Sequence, residues 1–191
     1  GGSHEVRIIG GQWKRRRLAV AAVTGLRPTS DRVRETLFNW IAHQAGGDLS
    51  GWRCMDVFAG TGALGLEAAS RGAAKVTLVE SSADAVRHLR GAVQLLQATQ
   101  VQVVAGDGVS LLRQQAAGSL NLVFLDPPYT STIYPAALQA SHQALQPNGL
   151  VYLEASHAWS AEDLAALGFV CLRHFKAGQV HAHLLQPSAG A

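Results

Sequence analysis

Between Trp52 and Glu154 the chain alternates short apolar runs with longer segments whose apolar positions recur every three or four residues. The short runs predict strands over Cys54–Phe58, Lys75–Glu80, Val101–Ala105, Leu120–Asp126 and Gly149–Glu154. The longer segments predict helices near 63–71, 82–97, 107–116 and 135–145. In the second of these, Val86, Leu89, Val93 and Leu96 form one stripe opposite Arg87 and Arg90. Strand, helix and strand at this spacing imply right-handed crossovers and a mostly parallel sheet covered on both faces.

The two ends break the alternation. After a short helix at 160–167, Gly168–Phe175 and Gln179–Gln186 flank Lys176-Ala177-Gly178, an antiparallel hairpin pattern. At the other end Arg7–Gly11 and Arg17–Val20 flank Gln12–Arg16, predicting a hairpin with a basic, Trp-bearing tip. Breakers and caps from Gly25 to Asp31 then precede Val33, Leu37, Trp40 and Ile41 at helical spacing, ended by Gly46-Gly47-Asp48. The expected organisation is a basic arm over 5–24 and one α/β domain over 25–191, with Gly1–His4 set aside as a cloning remnant.

Length and composition add bounds. The 191 residues suffice for one α/β domain with a real core, and no apolar run approaches membrane-spanning length. Cys54 and Cys171 lack a close partner and read as buried, reduced thiols of a cytoplasmic protein. Net charge is +3, but residues 1–40 hold eight Lys/Arg against three acids, so the positive charge sits at one end. Such a patch reads either as a phosphate-facing surface or as a solvated face.

In an open parallel sheet, ligands sit at the carboxyl ends of the strands. The first strand ends in Asp56-Val-Phe58-Ala59-Gly60-Thr61-Gly62-Ala-Leu-Gly65, which contains a literal G-x-G-x-x-G. The second ends in Glu80-Ser81, a carboxylate suited to ribose hydroxyls, and the third in Asp107-Gly108, suited to an adenine amino group. An adenosine is common to NAD and S-adenosylmethionine. Asp56, inside the first strand, would repel a pyrophosphate but favour a cationic sulfonium. The fourth strand delivers Asp126-Pro127-Pro128-Tyr129. There a carboxylate and a backbone carbonyl can grip an aromatic amine while a ring stacks on its base. No metal or covalent residue is needed.

The glycine turn together with Asp126–Tyr129 resembles the S-adenosylmethionine-dependent amino methyltransferases of nucleic acid. Arg7-Ile-Ile-Gly-Gly-Gln-Trp13 and Gly25-Leu-Arg-Pro-Thr-Ser-Asp-Arg-Val-Arg-Glu-Thr-Leu-Phe-Asn-Trp40 resemble the bacterial RsmD-type enzymes, which methylate the exocyclic 2-amino group of one guanine in small-subunit ribosomal RNA. The resemblance implies a Rossmann-like α/β methyltransferase fold, with a seven-stranded, mostly parallel sheet, a C-terminal antiparallel hairpin and an N-terminal β-hairpin arm. It implies that Asp56, Phe58, Ala59, Gly60, Thr61, Gly62, Glu80, Ser81, Asp107 and Gly108 hold S-adenosylmethionine. Asp126, Pro127, Pro128 and Tyr129 would take the target guanine, flipped out of its helix. Trp13, Lys14, Arg15, Arg16, Arg17, Arg27 and Arg32 would face RNA, with Trp13 either stacking or packing. The partner is small-subunit ribosomal RNA, free or in an assembling 30S particle, met by a cytoplasmic monomer. Tyr129 stands where some relatives carry Phe, which preserves stacking and gives the hydroxyl no catalytic part. The same chemistry on adenine or DNA, an NAD-dependent oxidoreductase and a non-catalytic RNA-binding module are the alternatives. His181 and His183 alternate on a predicted strand, but without a third ligand they read as a surface pair.

Overall fold

The computed structural model describes residues 5–19, 30–128 and 132–189. Helix α1 (Asp31–Ala45) starts where the Ser30 side chain accepts the Val33 N–H and stops at Gly46, whose φ is 81°. The alternating core follows as β3 (Arg53–Asp56), α2 (Ala63–Ser70), β4 (Lys75–Glu80), α3 (Ala83–Leu96), β5 (Val101–Ala105), α4 (Gly108–Arg113), β6 (Leu120–Leu125), α5 (Tyr134–Ala144) and β7 (Leu145–Ala155). Helix α6 (Ala161–Ala166) leads into β8 (Phe169–Ala177) and β9 (Val180–Pro187). Before them all, β1 (Glu5–Arg7) and β2 (Arg17–Ala19) pair antiparallel.

The seven-stranded sheet runs β5-β4-β3-β6-β7-β9-β8. Its first five members are parallel, and the β8–β9 hairpin joins through β9, which runs antiparallel to β7. Strand order reverses between β3 and β6, so the crevice of the fold opens at the carboxyl ends of those two strands. The fold is the Rossmann-like α/β architecture that the strand–helix alternation predicts.

Both faces of the sheet are covered. Leu122 and Phe124 of β6 join Leu37, Phe38, Ile41, Tyr152 and Leu184 on one side. Val123 and Leu125 join Met55, Leu138, Leu153, Leu164 and Phe169 on the other. A strand buried on two faces cannot alternate apolar with polar residues, which is why β6 reads as a nearly unbroken apolar run.

The N-terminal hairpin is bound tightly to α2. The backbone N–H groups of Ile9 and Gly10 donate to the two Glu67 carboxylate oxygens, each at 2.9 Å. Trp13 N–H donates to Ser70 Oγ, and Ser70 Oγ–H to the Gly10 carbonyl. Trp13 itself is buried in the core, so its ring packs and is not offered for base stacking. Glu67 is fully buried and also accepts from Arg34 Nη1 at 3.1 Å and Arg71 Nε at 2.8 Å. The Arg34 guanidinium, 1% exposed, further donates to the Arg7 carbonyl and to Asp31.

Two sequence expectations are corrected. Cys54 is buried but Cys171 is exposed, because the outer face of edge strand β8 has no covering layer at that position. His183 is buried rather than superficial, since β9 is an interior strand lying between β7 and β8.

Candidate active site

A cleft of about 320 Å³ opens at the carboxyl ends of β3, β4, β5, β6 and β7. Phe58, Ala59, Gly60, Thr61, Glu80, Ser81, Asp107, Gly108, Asp126, Pro127 and Pro128 all line it. Residues as distant in sequence as Phe58 and Asp126 are thus gathered at one mouth by the parallel sheet.

The glycine turn is built by its own neighbours. Gly62 caps α2 with φ 82°, a left-handed conformation that a side chain resists. Gly65 packs α2 onto β4, where an added Cβ would stand 2.2 Å from Leu78 Cδ2. The Gly60 N–H donates to Glu80 Oε2 at 3.0 Å, the Ala63 N–H to Thr61 Oγ1 at 3.3 Å and the Gly65 N–H to Asp56 Oδ2 at 3.0 Å. Amides that a dinucleotide fingerprint would aim at pyrophosphate are here satisfied by the protein. Both the spacing and the glycines match that fingerprint; the hydrogen bonding does not.

The family model described as Conserved hypothetical protein 95 matches residues 6–186. A curated Escherichia coli (strain K12) protein, Ribosomal RNA small subunit methyltransferase D, is 40% identical over 194 residues, 98% of this chain and 93% of its own length. The Haemophilus influenzae protein of the same name is 40% identical over 158 residues, 78% of each chain. A solved Escherichia coli chain, provisionally described as the methyltransferase yhhF, superposes with a TM-score of 0.84 at 38% identity, covering 98% of this chain and all of its own. This chain belongs to the RsmD-type methyltransferase family.

A methyltransferase of this kind implies S-adenosylmethionine, and the donor set of the cleft fits it. Glu80, Asp107, Asp126 and Glu154 contribute carboxylates to the wall, and no Lys or Arg stands among the described lining residues. Such a wall favours a cationic ligand and disfavours a pyrophosphate. Glu80 already accepts from Gly60, Ser81 and Ser82, which leaves one of a carboxylate's roughly four acceptor sites for a ribose hydroxyl. Asp107 caps α4 through the Ser110 N–H, and hydrogen bonds from the Ser110 side chain first and its backbone N–H second hold its carboxyl below the usual range. It is therefore anionic at neutral pH, with acceptor sites to spare.

Asp56 and Gly62 are not part of the cleft wall. Asp56 is 1% exposed and lies beneath the turn, bonded to Gly65. Burial pushes its carboxyl up to about 7, opposed by the Gly65 bond and reinforced by Glu80. A raised folded value means that the group's stabilisation is complete below its ordinary range and is lost as pH rises through about 7. Asp56→Asn is neutral throughout and lacks this loss. Between pH 5 and 8 the wild type is expected to lose about 2–3 kcal/mol relative to that variant. Thermal melts at both pH values check this, and a constant difference between the two proteins would refute it.

Glu154 is a cleft acid that the strand-end reading passed over, although it ends a predicted strand as the other acids do. It is buried, accepts from Tyr152 O–H at 2.9 Å through Oε1, and its carbonyl accepts from Tyr134 O–H at 2.8 Å. Burial first, and then the charges of Asp126 and Glu154, push the Tyr134 phenol up to about 12. Tyr134 thus stays a neutral donor bracing the wall behind Asp126. Ser30 and Val33 of the α1 entry and Ala177 and Val180 of the β8–β9 turn complete the wall, positions with no local signal in the sequence.

Lys14, Arg15 and Arg16 are exposed on the turn of the N-terminal hairpin, Arg17 is exposed at the start of β2, and Arg32 is exposed in the first turn of α1. Tyr129 and Arg27 lie outside the described residues. Among the described residues no group of three or more His, Cys, Asp or Glu is placed to hold a metal, and no helix is long and apolar enough to cross a membrane.

Proposed function

We propose that this chain transfers a methyl group from S-adenosylmethionine to the exocyclic 2-amino group of a guanine in small-subunit ribosomal RNA. The carrying observation is Asp126-Pro127-Pro128 at the end of β6, on the wall of an acid-lined cleft beside Glu154. The family adds the acceptor: its curated members named above are small-subunit ribosomal RNA methyltransferases.

S-Adenosylmethionine, when bound, supplies a methyl group on a positively charged sulfur. The chain's task is to make a poor nucleophile competent beside it. An aromatic amine shares its lone pair with the ring. Asp126 and the Pro127 carbonyl accept hydrogen bonds from its two N–H groups, return electron density to nitrogen and stabilise the positive charge that accrues there. The methylated nitrogen then sheds one of those protons to solvent, with the demethylated donor departing as a neutral thioether. Two consecutive prolines restrict the backbone at this point, so the acceptors need little reorganisation. Tyr129, next in sequence, supplies the stacking ring for a base removed from its helix. Glu80 holds the ribose and Asp107 the adenine amino group of the donor.

Incubating the protein with labelled donor and small-subunit RNA, free and particle-bound, tests the reading. Label on one guanine N2 supports it; label on adenine, on DNA only, or nowhere overturns it. The basic turn has its own test. Replacing Lys14, Arg15, Arg16 and Arg17 with Gln is expected to lower the slope of log affinity against log salt by about 0.7 for each phosphate no longer neutralised. An unchanged slope would mean that this turn does not meet phosphate.

A further inference from the structure

The β8–β9 hairpin carries basic groups that the proposed reaction does not use. His174 and Lys176 on β8 stand opposite His183 and His181 on β9, so all four project from one sheet face. The His174 and His181 rings stack with centroids 5.1 Å apart, and Nε2 of the first lies 2.9 Å from Nδ1 of the second. His183 sits beneath them with both ring nitrogens engaged, Nδ1 at 3.2 Å from the Leu153 carbonyl and Nε2 accepting the Trp159 N–H at 3.1 Å. That pattern fixes His183 as neutral and removes it as a third metal ligand.

The charged neighbours of His181 are all basic: His174 and Lys176 from β8, and His157 from the segment after β7. From β9 itself, the ring of His183 is the neutral one just described. Glu154 pairs with Ala182 and therefore lies on the opposite face. Ala177 and Val180, the strand residues next to Lys176 and His181, line the cleft from the other face of the sheet, and His181 pairs with Ala155 at the end of β7, so the cluster flanks the cleft edge from behind this hairpin.

A wall of four carboxylates admits a base but repels the phosphates attached to it. Those phosphates must stay at the rim. We propose that His174, His181 and Lys176 form a phosphate-binding site for the RNA backbone flanking the target nucleotide, on the side of the cleft given by the β8–β9 hairpin. The inference rests on RNA being the substrate.

The paired rings explain how such a site would respond to pH. One N–H lies between the two rings, and a proton taken up at an outer nitrogen leaves that bond intact. The resulting cation stands beside Lys176, which is unfavourable alone and favourable with a phosphate between them. Burial, then His174, Lys176 and His157, hold His181 below the usual imidazole range. A bound anion opposes those charges, so binding takes up a proton and tightens as pH falls.

Fluorescence anisotropy with a single-stranded small-subunit RNA fragment, at constant salt, provides the test. Wild-type affinity is expected to rise roughly fivefold from pH 8 to pH 6, and the His174→Gln/His181→Gln double variant to lose most of that rise. Lys176→Gln is expected to lower the salt slope by about 0.7, and affinity for S-adenosylmethionine should stay unchanged in both variants. An unchanged pH response in the double variant, or an unchanged salt slope in Lys176→Gln, overturns the site. Wild type that binds and methylates RNA while the variants behave identically sinks this inference alone. A wild type that ignores RNA sinks the proposed substrate with it.

Discussion

Asp126→Ala is expected to cut methyl transfer by about 10²–10³-fold while S-adenosylmethionine binds as before. The side chain stands at the end of β6, half-buried on the cleft wall, with its backbone held by the fully buried Leu125 before it. Its charge is felt by Tyr134 and Tyr152, which places it in the poorly solvated part of the wall where a hydrogen bond to developing charge counts most. Under the proposed reaction, removing the carboxylate takes away one of the two acceptors for the amine and leaves Glu80, Asp107 and the glycine turn untouched. Asp126→Asn should fall between, because its amide keeps one acceptor but turns a donor on the substrate. Single-turnover transfer of labelled methyl, set beside calorimetric titration with the donor, separates chemistry from binding. Turnover within about threefold of wild type would remove Asp126 from the reaction.

Glu67→Ala should be the most damaging single change to stability, at about 3–5 kcal/mol. The carboxylate satisfies two backbone amides of the N-terminal hairpin and two guanidinium groups, all at a buried position. Without it the buried Arg34 guanidinium keeps Asp31 and the Arg7 carbonyl but loses its fully buried counter-charge, at a position where burial already lowers its proton affinity against the pull of Glu67 and Asp31. For a chain of this size the loss corresponds to a fall in Tm of roughly 10 °C. Glu67→Gln, which retains the shape and one acceptor, should cost less. Denaturant melts give the energy, and limited proteolysis near residues 8–19 reports whether the hairpin has detached. A loss below about 1 kcal/mol would show that the network is no more than a surface ion pair in effect.

Glu67 also illustrates how different kinds of information enter the fold. Nothing in Ala63–Ser70 marks Glu67 as special, because an acid on a short helix ordinarily faces water. Its role depends on the N-terminal hairpin folding back across α2, which joins residues 57 and 58 positions apart. Trp13 shares this origin: the sequence leaves it free to stack or to pack, and docking of the hairpin buries it.

Local pattern was sufficient for the strands and helices between Trp52 and Glu154. Apolar periodicity follows from which faces are covered, and caps such as Ser30, Ser82, Asp107 and Ser160 act within three residues of where they stand. The acids ending β4, β5 and β6 were readable for the same reason, since strand ends in a parallel sheet share one edge. Long-range placement decided the rest. Asp56 lies under the glycine turn rather than in the wall because the Gly65 amide claims it, and Glu154 faces the cleft because β7 runs alongside β6. His183 is buried because β9 inserts between β7 and β8, an ordering that adjacency along the chain does not contain. Periodicity reports which side of an element meets other protein; only the assembled sheet determines which neighbour is there.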